Sequence, residues 1–251
     1  LKSENLKGID LVVYRELTGG IYFGEKKLSE DGKSASDLCS YSVDEITRIA
    51  KMAFEAAVQR RNKLTLVDKA NVLETSRLWR KVVQEMAKQF PSVKVDYLYV
   101  DNAAMQMVVN PAQFDVILTE NMFGDIISDL SSVLTGSLGM LPSASIGDAA
   151  AMFEPCHGSY PQAAGKDIAN PMATILSVAM MYDYFKLFEE AQAIRNAVNW
   201  TLNENLVTED ITSLNPSRCS IVGDLIAHYI EEKGEVNLNK RYMTEGMTTV
   251  I

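Results

Sequence analysis

Two aspartates in the segment 120–129 have the spacing of a divalent-cation site. Asp125 and Asp129 are four residues apart, so on a helix both carboxylates project from one face about one turn apart. Paired carboxylate oxygens are ligands that Mg²⁺ and Mn²⁺ favour. The spacing alone leaves a plainer interpretation open, because acidic residues near the start of a helix are also favoured by the helix dipole.

Asp101 and Lys69 each follow an apolar run that predicts a buried strand. The carboxyl end of a strand is where α/β sheets usually hold their sites. Asp101 could supply a third oxygen ligand, or it could cap a helix that begins at Asn102. Lys69 could act as a base when packed among carboxylates and apolar side chains, or it could be an ordinary surface lysine.

The elements that must position these residues alternate between apolar runs and helical patterns, which predicts βαβ units in an α/β protein. The predicted strands are 9–14, 64–67, 93–100 and 114–118, and the predicted helices between and beside them are 43–61, 76–90 and 102–109. At the start of the first helix, Ser42 and Glu45 match the capping-box pattern.

The composition changes at Gly136, where a stretch rich in Gly, Ser and Ala begins. Three helices are predicted after it, at 171–188, 190–203 and 219–232. We therefore expect two domains, 1–137 and 138–251. The polar segment 234–251 lacks periodicity and is expected to be a loosely held tail.

Overall composition excludes several classes of protein. The chain has 251 residues, 47% of them hydrophobic, and a net charge of -9, which argues against binding to nucleic acid or to an anionic membrane surface. Its three cysteines lack zinc-ligand spacing and are expected to be free thiols. Without an apolar run of ~20 residues or a signal segment, a cytoplasmic location is expected.

Six segments, in order from about Leu6 to about Glu232, resemble those of the 3-isopropylmalate dehydrogenases. They are RELTGGIYFGE at 15–25, DKANVLE at 68–74, YVDNAAMQ at 99–106, ENMFGDIISD at 120–129, LTGSLGMLPSAS at 134–145 and EPCHGS at 154–159. The resemblance implies the two-domain α/β/α architecture of the isocitrate/isopropylmalate dehydrogenases. The chain opens at Leu1 without a Met, and the family's N-terminal segment has no counterpart, so we expect a truncated first domain.

The resemblance also implies a reaction, the oxidative decarboxylation of 3-isopropylmalate to 2-oxoisocaproate in leucine biosynthesis. It implies catalysis by Tyr22, Lys69 and Asp101, substrate binding by Arg15, Tyr22, Lys69 and Val72, and Mg²⁺ or Mn²⁺ held by Asp101, Asp125 and Asp129. On pattern alone, Val72 could equally be a core residue. In this family Lys69 and Asp101 come from a second subunit. We therefore expect a homodimer with shared sites, and little or no turnover by a chain of these 251 residues alone.

A cofactor is implied as well, although the GxGxxG fingerprint of the Rossmann fold is absent. By resemblance, NAD is bound by Asn71, Glu154, His157, Gly158, Ser159, Gln162, Gly165 and Asn170. Gln162 departs from the family pattern, which has an aspartate there for the adenosine ribose. Because positions 160–163 carry no Arg or Lys for a 2′-phosphate, NAD is expected rather than NADP.

Two other readings compete with this one. Relatives that act on isocitrate, homoisocitrate or tartrate tend to carry an Asn-Thr-Glu segment where this chain has Leu-Thr-Gly-Gly at 17–20, which favours isopropylmalate. From a different class, the chain could be an inactive dimerisation or metal-binding fragment.

Overall fold

The computed structural model of the protein describes residues 6–232, and the chain divides into two compact units between Ser131 and Ser132. The first unit holds the central α/β part of the chain and the second holds the helices that follow. The predicted domains stay a prediction: 1–137 as the central domain for substrate, metal and dimerisation, and 138–251 as the C-terminal part of the cofactor-binding domain.

The first unit is built around a parallel sheet, as the alternating pattern indicated. Its strands are β1 Val12–Arg15, β2 Lys26–Leu28, β3 Ala35–Asp37, β4 Lys63–Asp68, β5 Lys94–Tyr99 and β6 Val116–Thr119. Its helices are α1 Val43–Gln59, α2 Glu74–Ala87, α3 Val100–Val109 and α4 Asn121–Thr135, the last of which continues past Ser131. Four strands pair in the order β1-β6-β4-β5, all parallel.

The two central strands, β4 and β6, are almost completely buried, because helices cover both faces of such a sheet. Leu64, Leu66, Val116 and Leu118 pack with α1 and α2 in one core that includes Trp79. Alternate residues of the same strands point to the opposite face. This packing explains why the apolar runs at 64–67 and 114–118 could be recognised as strands.

The parallel register brings the carboxyl ends of all four strands to one edge of the sheet. Arg15 at the end of β1 pairs with Thr119 at the end of β6. Thr119 also aligns with Val67 of β4, and the adjacent Asp68 aligns with Tyr99 at the end of β5. Residues at and just after these ends are therefore placed near the same edge, which is where α/β sheets bind ligands.

Helix α1 begins as predicted. The hydroxyl of Ser42 accepts a hydrogen bond from the backbone N–H of Glu45, and the Glu45 carboxylate accepts one from the backbone N–H of Ser42. The Ser42 hydroxyl also donates to the Glu45 carboxylate, and this hydrogen bond together with that from the Ser42 backbone N–H lowers the pKa of Glu45. The predicted capping box is confirmed.

The start of α3 differs from one of the two interpretations of Asp101. The helix begins at Val100, with the extended Tyr99 as its N-cap residue. Asp101 therefore lies in the first turn, and the interpretation of Asp101 as a cap of a helix starting at Asn102 is wrong. The physical reason is that its carboxylate accepts a hydrogen bond from Lys69.

The hairpin of β2 and β3 was not predicted. All six of its paired residues are exposed, so neither face carries an apolar alternation that would have indicated a strand. A turn closes it, in which the Ser29 hydroxyl accepts from the backbone N–H groups of Lys33 and Ser34.

The second unit contains an antiparallel hairpin and three helices. They are β7 Pro142–Ile146, β8 Ala151–Pro155, α5 Met172–Tyr184, α6 Phe188–Asn203 and α7 Cys219–Glu231. The three predicted helices are confirmed with shifted ends, whereas neither strand was predicted. Met172, Val198 and Val222 lie in its core.

Three further expectations concern the whole chain. Within residues 6–232 no helix is long and apolar enough to cross a membrane. The cysteines of this part, Cys39, Cys156 and Cys219, are half-buried thiols rather than disulfides, as expected. The predicted loose tail at 234–251 lies outside the described residues.

Candidate active site

Arg15, Tyr22, Asn121 and Asp125 form one cluster at the carboxyl edge of the sheet, here called the Asp125 cluster. Nη1 of Arg15 donates to Oδ1 of Asp125 at 2.5 Å. The phenol of Tyr22 donates to Oδ2 of the same carboxylate at 2.7 Å. Both oxygens of Asp125 are thus in contact with protein donors. Arg15 and Tyr22 lie 110 and 103 residues before Asp125 in the sequence, and the pairing of the strands brings them together.

The phenol of Tyr22 is held in its protonated form. Its hydrogen bond to Asp125 is the largest of the effects that raise the pKa of Tyr22 above its usual value, since ionisation would place a second negative charge beside the carboxylate. The guanidinium carbon of Arg15 lies 5.7 Å from the centre of the Tyr22 ring. The phenol therefore keeps its proton more strongly than an ordinary tyrosine and donates it in the hydrogen bond to Asp125.

Two buried carboxylates, those of Glu16 and Glu120, accept hydrogen bonds from the backbone next to the Asp125 cluster. Glu16, only 2% exposed, accepts from the backbone N–H groups of Thr18 and Gly19 and from Arg48. It thereby fixes the loop that follows Arg15.

Glu120 precedes α4 and accepts from the backbone N–H of Phe123, which caps the helix. Burial raises the pKa of Glu120.

Asn121 is a member of the Asp125 cluster that sequence reasoning missed. It is the first residue of α4, and its side-chain oxygen accepts hydrogen bonds from Nε and Nη2 of Arg15. The only available signal was its position, three residues after the end of the apolar run at 114–118 and four residues before Asp125. An asparagine at a helix start is so common as a cap that this signal is weak.

A second cluster at the same sheet edge, the Lys69 cluster, contains Lys69, Tyr99 and Asp101. Nζ of Lys69 donates a short hydrogen bond to Asp101 and lies 5.7 Å from the centre of the Tyr99 ring. The contact with Lys69 is the main cause of a lowered pKa of Asp101. Lys69 is partly exposed and its carboxylate partner is mostly exposed, so the two interpretations of Lys69, as a base and as a surface lysine, both stay open.

The loop that carries Lys69 is fixed by its neighbours. The backbone N–H of Lys69 donates to the hydroxyl of Ser76, and that of Ala70 donates to Asp68. Asp68 is buried and accepts hydrogen bonds from Arg80. Arg80 in turn lies over the Tyr99 ring, with its guanidinium carbon 5.1 Å from the centre.

The predicted metal ligands are not brought together within one chain. Across residues 6–232, no group of three or more His, Cys, Asp or Glu side chains could hold a metal ion. Asp125 and Asp129 lie one turn apart on α4, as predicted, but Asp101 belongs to the Lys69 cluster. The carboxylates suit Mg²⁺ or Mn²⁺ by type, and one chain places only two of the three on a common face.

Val72 and Asn71 lie in the turn after β4, one helical turn from Lys69. The backbone N–H of Val72 donates to the carbonyl of Lys69 at 2.9 Å. Val72 is 62% exposed, so the interpretation of Val72 as a core residue is wrong. The expected contacts of Val72 with substrate and of Asn71 with cofactor stay predictions.

The remaining residues expected to bind the cofactor lie in the second unit. Glu154 is on β8, and the loop after it contains the others, which are His157, Gly158, Ser159, Gln162, Gly165 and Asn170. Gly165 has a φ of 75°, a conformation that favours glycine. Gln162 is exposed in a short 3-10 turn at Pro161–Ala163. Their contacts with a cofactor stay predictions.

Asn170 is already engaged by the protein at both ends of its side chain. Its Oδ1 accepts from the backbone N–H of Met172 at the start of α5, and its Nδ2 donates to Asp210 at 3.0 Å. Burial alone would raise the pKa of Asp210, but hydrogen bonds from Ser137, Thr208 and Asn170 outweigh it and lower that pKa. A cofactor contact through the Asn170 side chain would have to share these hydrogen bonds.

Comparison with known proteins gives consistent matches over most of the chain. A family model described as isocitrate/isopropylmalate dehydrogenase matches residues 1–226. A 3-isopropylmalate dehydrogenase of Desulfitobacterium hafniense is 56% identical over 212 residues, and one of Moorella thermoacetica is 58% identical over 214. Each alignment covers 84% of this chain but 60% of the relative.

A solved structure agrees with these matches. The isocitrate dehydrogenase of Methylococcus capsulatus superimposes with a TM-score of 0.85 at 37% identity, over 88% of this chain and 67% of that one. Compared with the two 3-isopropylmalate dehydrogenases named above, the chain spans about 60% of their length.

Proposed function

The chain belongs to the isocitrate/isopropylmalate dehydrogenase family, as its motifs indicated, and we propose from this that the whole protein catalyses the oxidative decarboxylation of 3-isopropylmalate. In this proposal 3-isopropylmalate loses a hydride to NAD and a carboxylate as carbon dioxide, giving 2-oxoisocaproate in leucine biosynthesis. The observation that carries the proposal is the contact of Arg15 and Tyr22 with the same carboxylate, Asp125. These contacts bring together an anion-binding group (Arg15), a proton donor (Tyr22) and a hard oxygen ligand for a metal (Asp125).

Arg15 binds a carboxylate of the substrate. Its planar guanidinium can hold a carboxylate through two parallel hydrogen bonds, and it lies at the strand edge only partly exposed. Val72, at the surface, contacts the isopropyl branch. An exposed valine beside Lys69 is consistent with this role because burial of an apolar branch against it is favourable.

A divalent cation, Mg²⁺ or Mn²⁺, would supply Lewis-acid chemistry when bound, at the hydroxyl and adjacent carboxylate of the substrate. Asp125 and Asp129 would hold it together with Asp101. Since Asp101 contacts Lys69 in its own chain, the proposal requires that Asp101 and Lys69 reach this site from a second copy of the chain.

The surface of α3 and α4 supports a homodimer of this kind. On α3, the exposed residues Asp101, Met105 and Val108 follow one another at helical spacing on one face. On α4, Ile126 and Asp129 are exposed at a spacing of three. Exposed apolar side chains beside the candidate ligands are what an interface would bury, and a buried α3 face would deliver Asp101 to the partner.

The proton transfers are assigned to Lys69 and Tyr22. Lys69 helps to remove the proton of the substrate hydroxyl, directly or through water, while the hydride leaves to NAD. After loss of carbon dioxide an enolate remains, and Tyr22 protonates its carbon. The hydrogen bond to Asp125 suits Tyr22 to this step because it keeps the phenol protonated.

NAD is proposed as the coenzyme, bound in part by the loop residues of the second unit and by Glu154. Positions 160–163 read Tyr-Pro-Gln-Ala, so that segment presents no cation to a 2′-phosphate. The exposed amide of Gln162 can donate and accept hydrogen bonds with the ribose hydroxyls. The expected cytoplasmic location stays a prediction.

The deciding experiment measures NADH formation by the full-length protein with 3-isopropylmalate, isocitrate, homoisocitrate and tartrate, each with and without Mg²⁺. Metal-dependent turnover that is fastest with 3-isopropylmalate is expected. A preference for any other of the four substrates would contradict the proposal. The chain of 251 residues is assayed in parallel, and turnover by it alone would exclude the reading as an inactive fragment.

A further inference from the structure

Asn121 makes two hydrogen bonds with Arg15, where Asp125 makes one. Nε and Nη2 of Arg15 both donate to Oδ1 of Asn121, at 3.1 and 2.9 Å, and Nη1 donates to Asp125. One edge of the guanidinium is therefore held by a neutral amide and a second edge by a carboxylate. A guanidinium has five N–H groups, and three of them donate to these two side chains. One hydrogen on Nη1 and one on Nη2 stay available for a further acceptor, and these two donors are here called the free edge of Arg15.

The amide of Asn121 is itself fixed in one orientation. Asn121 is only 2% exposed, its Nδ2 donates to the carbonyl of Gly19 at 3.1 Å, and its backbone N–H donates to the hydroxyl of Tyr41 at 3.0 Å. Turning the amide over would place its NH₂ group against the guanidinium and its oxygen against a carbonyl. The network therefore permits a single arrangement.

The stem of Arg15 is confined as well. A Cβ atom on Gly124 would lie 2.6 Å from Cγ of Arg15, much closer than such atoms approach in proteins. Arg15 can lie against the first turns of α4 only because residue 124 is glycine. Both the stem and the head of Arg15 are thus positioned by α4.

The neutrality of Asn121 has a chemical consequence. An amide oxygen accepts the same hydrogen bonds as a carboxylate oxygen but does not cancel the charge of the guanidinium. An anionic group that approaches the free edge of Arg15 is then attracted by a charge that, among the described residues, is paired with the single carboxylate of Asp125. The hydrogen bonds from Arg15 to Asn121 do not involve Asp125. They would therefore keep the guanidinium in its plane if Asp125 bound another ligand.

We propose that Asn121 is a positioning residue for substrate binding, which aims the free edge of Arg15 at a carboxylate of the substrate while preserving its charge. This role deepens the proposed function and rests on it. Asn121 acts through Arg15, and the substrate carboxylate is expected to contact Nη1 and Nη2 rather than Asn121.

The test is a double-mutant cycle in the full-length protein with the variants Asn121→Ala, Arg15→Ala and the two combined. The quantity measured is the affinity for 3-isopropylmalate by titration calorimetry. Loss of hydrogen bonds to a charged group predicts binding about 10- to 100-fold weaker for Asn121→Ala. Because Asn121 acts through Arg15, the double variant is expected to bind no more weakly than Arg15→Ala alone. Losses that simply add would overturn the proposal.

Two further variants separate positioning from general damage to α4. Asn121→Asp keeps an acceptor for Arg15 but cancels its charge, so it is expected to bind roughly tenfold more weakly than the wild type. Wild-type affinity in Asn121→Asp would contradict the role of neutrality. Ser131→Ala removes a buried hydroxyl that bonds the carbonyl of Ser128 on the same helix and should leave binding unchanged. A loss equal to that of Asn121→Ala would point to helix damage instead.

The same titrations distinguish this inference from the proposed function. A wild-type protein that binds and converts 3-isopropylmalate, with additive losses in the cycle, overturns only the role of Asn121. A wild-type protein that neither binds nor converts 3-isopropylmalate, isocitrate, homoisocitrate or tartrate overturns the proposed function, and the role of Asn121 in it.

Discussion

The phenol of Tyr22 donates a hydrogen bond of 2.7 Å to Oδ2 of Asp125. Tyr22 lies in a short 3-10 turn after β1, and Asp125 lies on α4 after β6, so the contact depends on the pairing of those two strands. Through it the candidate proton donor and a candidate metal ligand share one carboxylate. A substitution of either residue should therefore alter the hydrogen bonding of the other.

Tyr22→Phe should lower kcat in the full-length protein while leaving KM for 3-isopropylmalate nearly unchanged. Removal of a positioned proton donor typically costs about 10²- to 10⁴-fold. Because the pKa of Tyr22 is raised above its ordinary value, the donor keeps its proton through the neutral range, and activity that depends on it should fall only in strongly alkaline solution. Steady-state kinetics across pH check this. Tyr184→Phe, at a similarly exposed tyrosine, is the control, and an unchanged kcat in Tyr22→Phe would rule out the assigned role.

Asp125→Asn should weaken the binding of Mn²⁺ by at least about 10- to 100-fold, because a ligand charge is lost. Titration calorimetry of the full-length protein with Mn²⁺ measures this independently of turnover. Asp44→Asn, in the exposed first turn of α1, removes the same charge elsewhere and should bind the metal as the wild type does. Equal affinity in all three proteins would show that the ligand set is misassigned.

Mixing two inactive variants should restore activity if each site is built from two chains. In a heterodimer of Tyr22→Phe with Lys69→Met, one site carries both changes and the other carries neither. Random pairing at equal amounts then recovers about a quarter of wild-type turnover, since half of the dimers are mixed and each has one intact site. Sites contained within one chain would give no recovery after co-refolding, which is the contradicting result.

Glu120→Gln should change how stability depends on pH. Burial raises the pKa of Glu120 in the folded chain, so its contribution to stability is full below its unfolded pKa of ~4.3 and is lost as pH rises through the folded value. Relative to the wild type, Glu120→Gln should therefore gain stability as pH rises above the unfolded pKa, by at most ~1.4 kcal/mol per pH unit.

Urea unfolding followed by the fluorescence of Trp79, in a Trp200→Phe background, reports on the first unit alone. Glu45→Gln is the matched control of opposite sign, because its folded pKa is lowered by Ser42. That variant should lose stability relative to the wild type as pH rises from 3 to 6. The same pH dependence in both variants would contradict the assignment to burial.

Gln162→Asp should sharpen the preference for NAD over NADP. A carboxylate accepts hydrogen bonds from both ribose hydroxyls and repels a 2′-phosphate, so the ratio of the two kcat/KM values should rise by on the order of tenfold. Kinetics with both coenzymes test this in the full-length protein. Gln192→Asp, exposed on α6, controls for the added charge, and an unaltered ratio in Gln162→Asp would argue against ribose contact at this position.

Local patterns in the sequence were sufficient for the regular elements of the sheet unit. The capping box of Ser42 and Glu45 and the apolar spacing after it fix where α1 begins, because both act within a few residues of chain. The buried runs of β4 and β6 are continuous because both faces of a parallel sheet are covered. The spacing of Asp125 and Asp129 likewise follows from the helix period alone.

Elements without such a pattern escaped prediction. The hairpin of β2 and β3 is exposed on both faces, so no alternation marks it. The start of α3 was misplaced because Asp101 has the chemistry of a cap, whereas the structure gives its carboxylate to Lys69. Local propensity does not report a contact made across 32 residues.

Residue types and motif order by themselves determined the family and a set of candidate residues. Only the tertiary structure decided how those residues are grouped. It joined Arg15, Tyr22 and Asp125, added Asn121, and kept Asp101 with Lys69 in a separate cluster. The physical reason is the parallel register, which brings the carboxyl ends of strands distant in sequence to one edge and sets which side chains come within hydrogen-bonding distance.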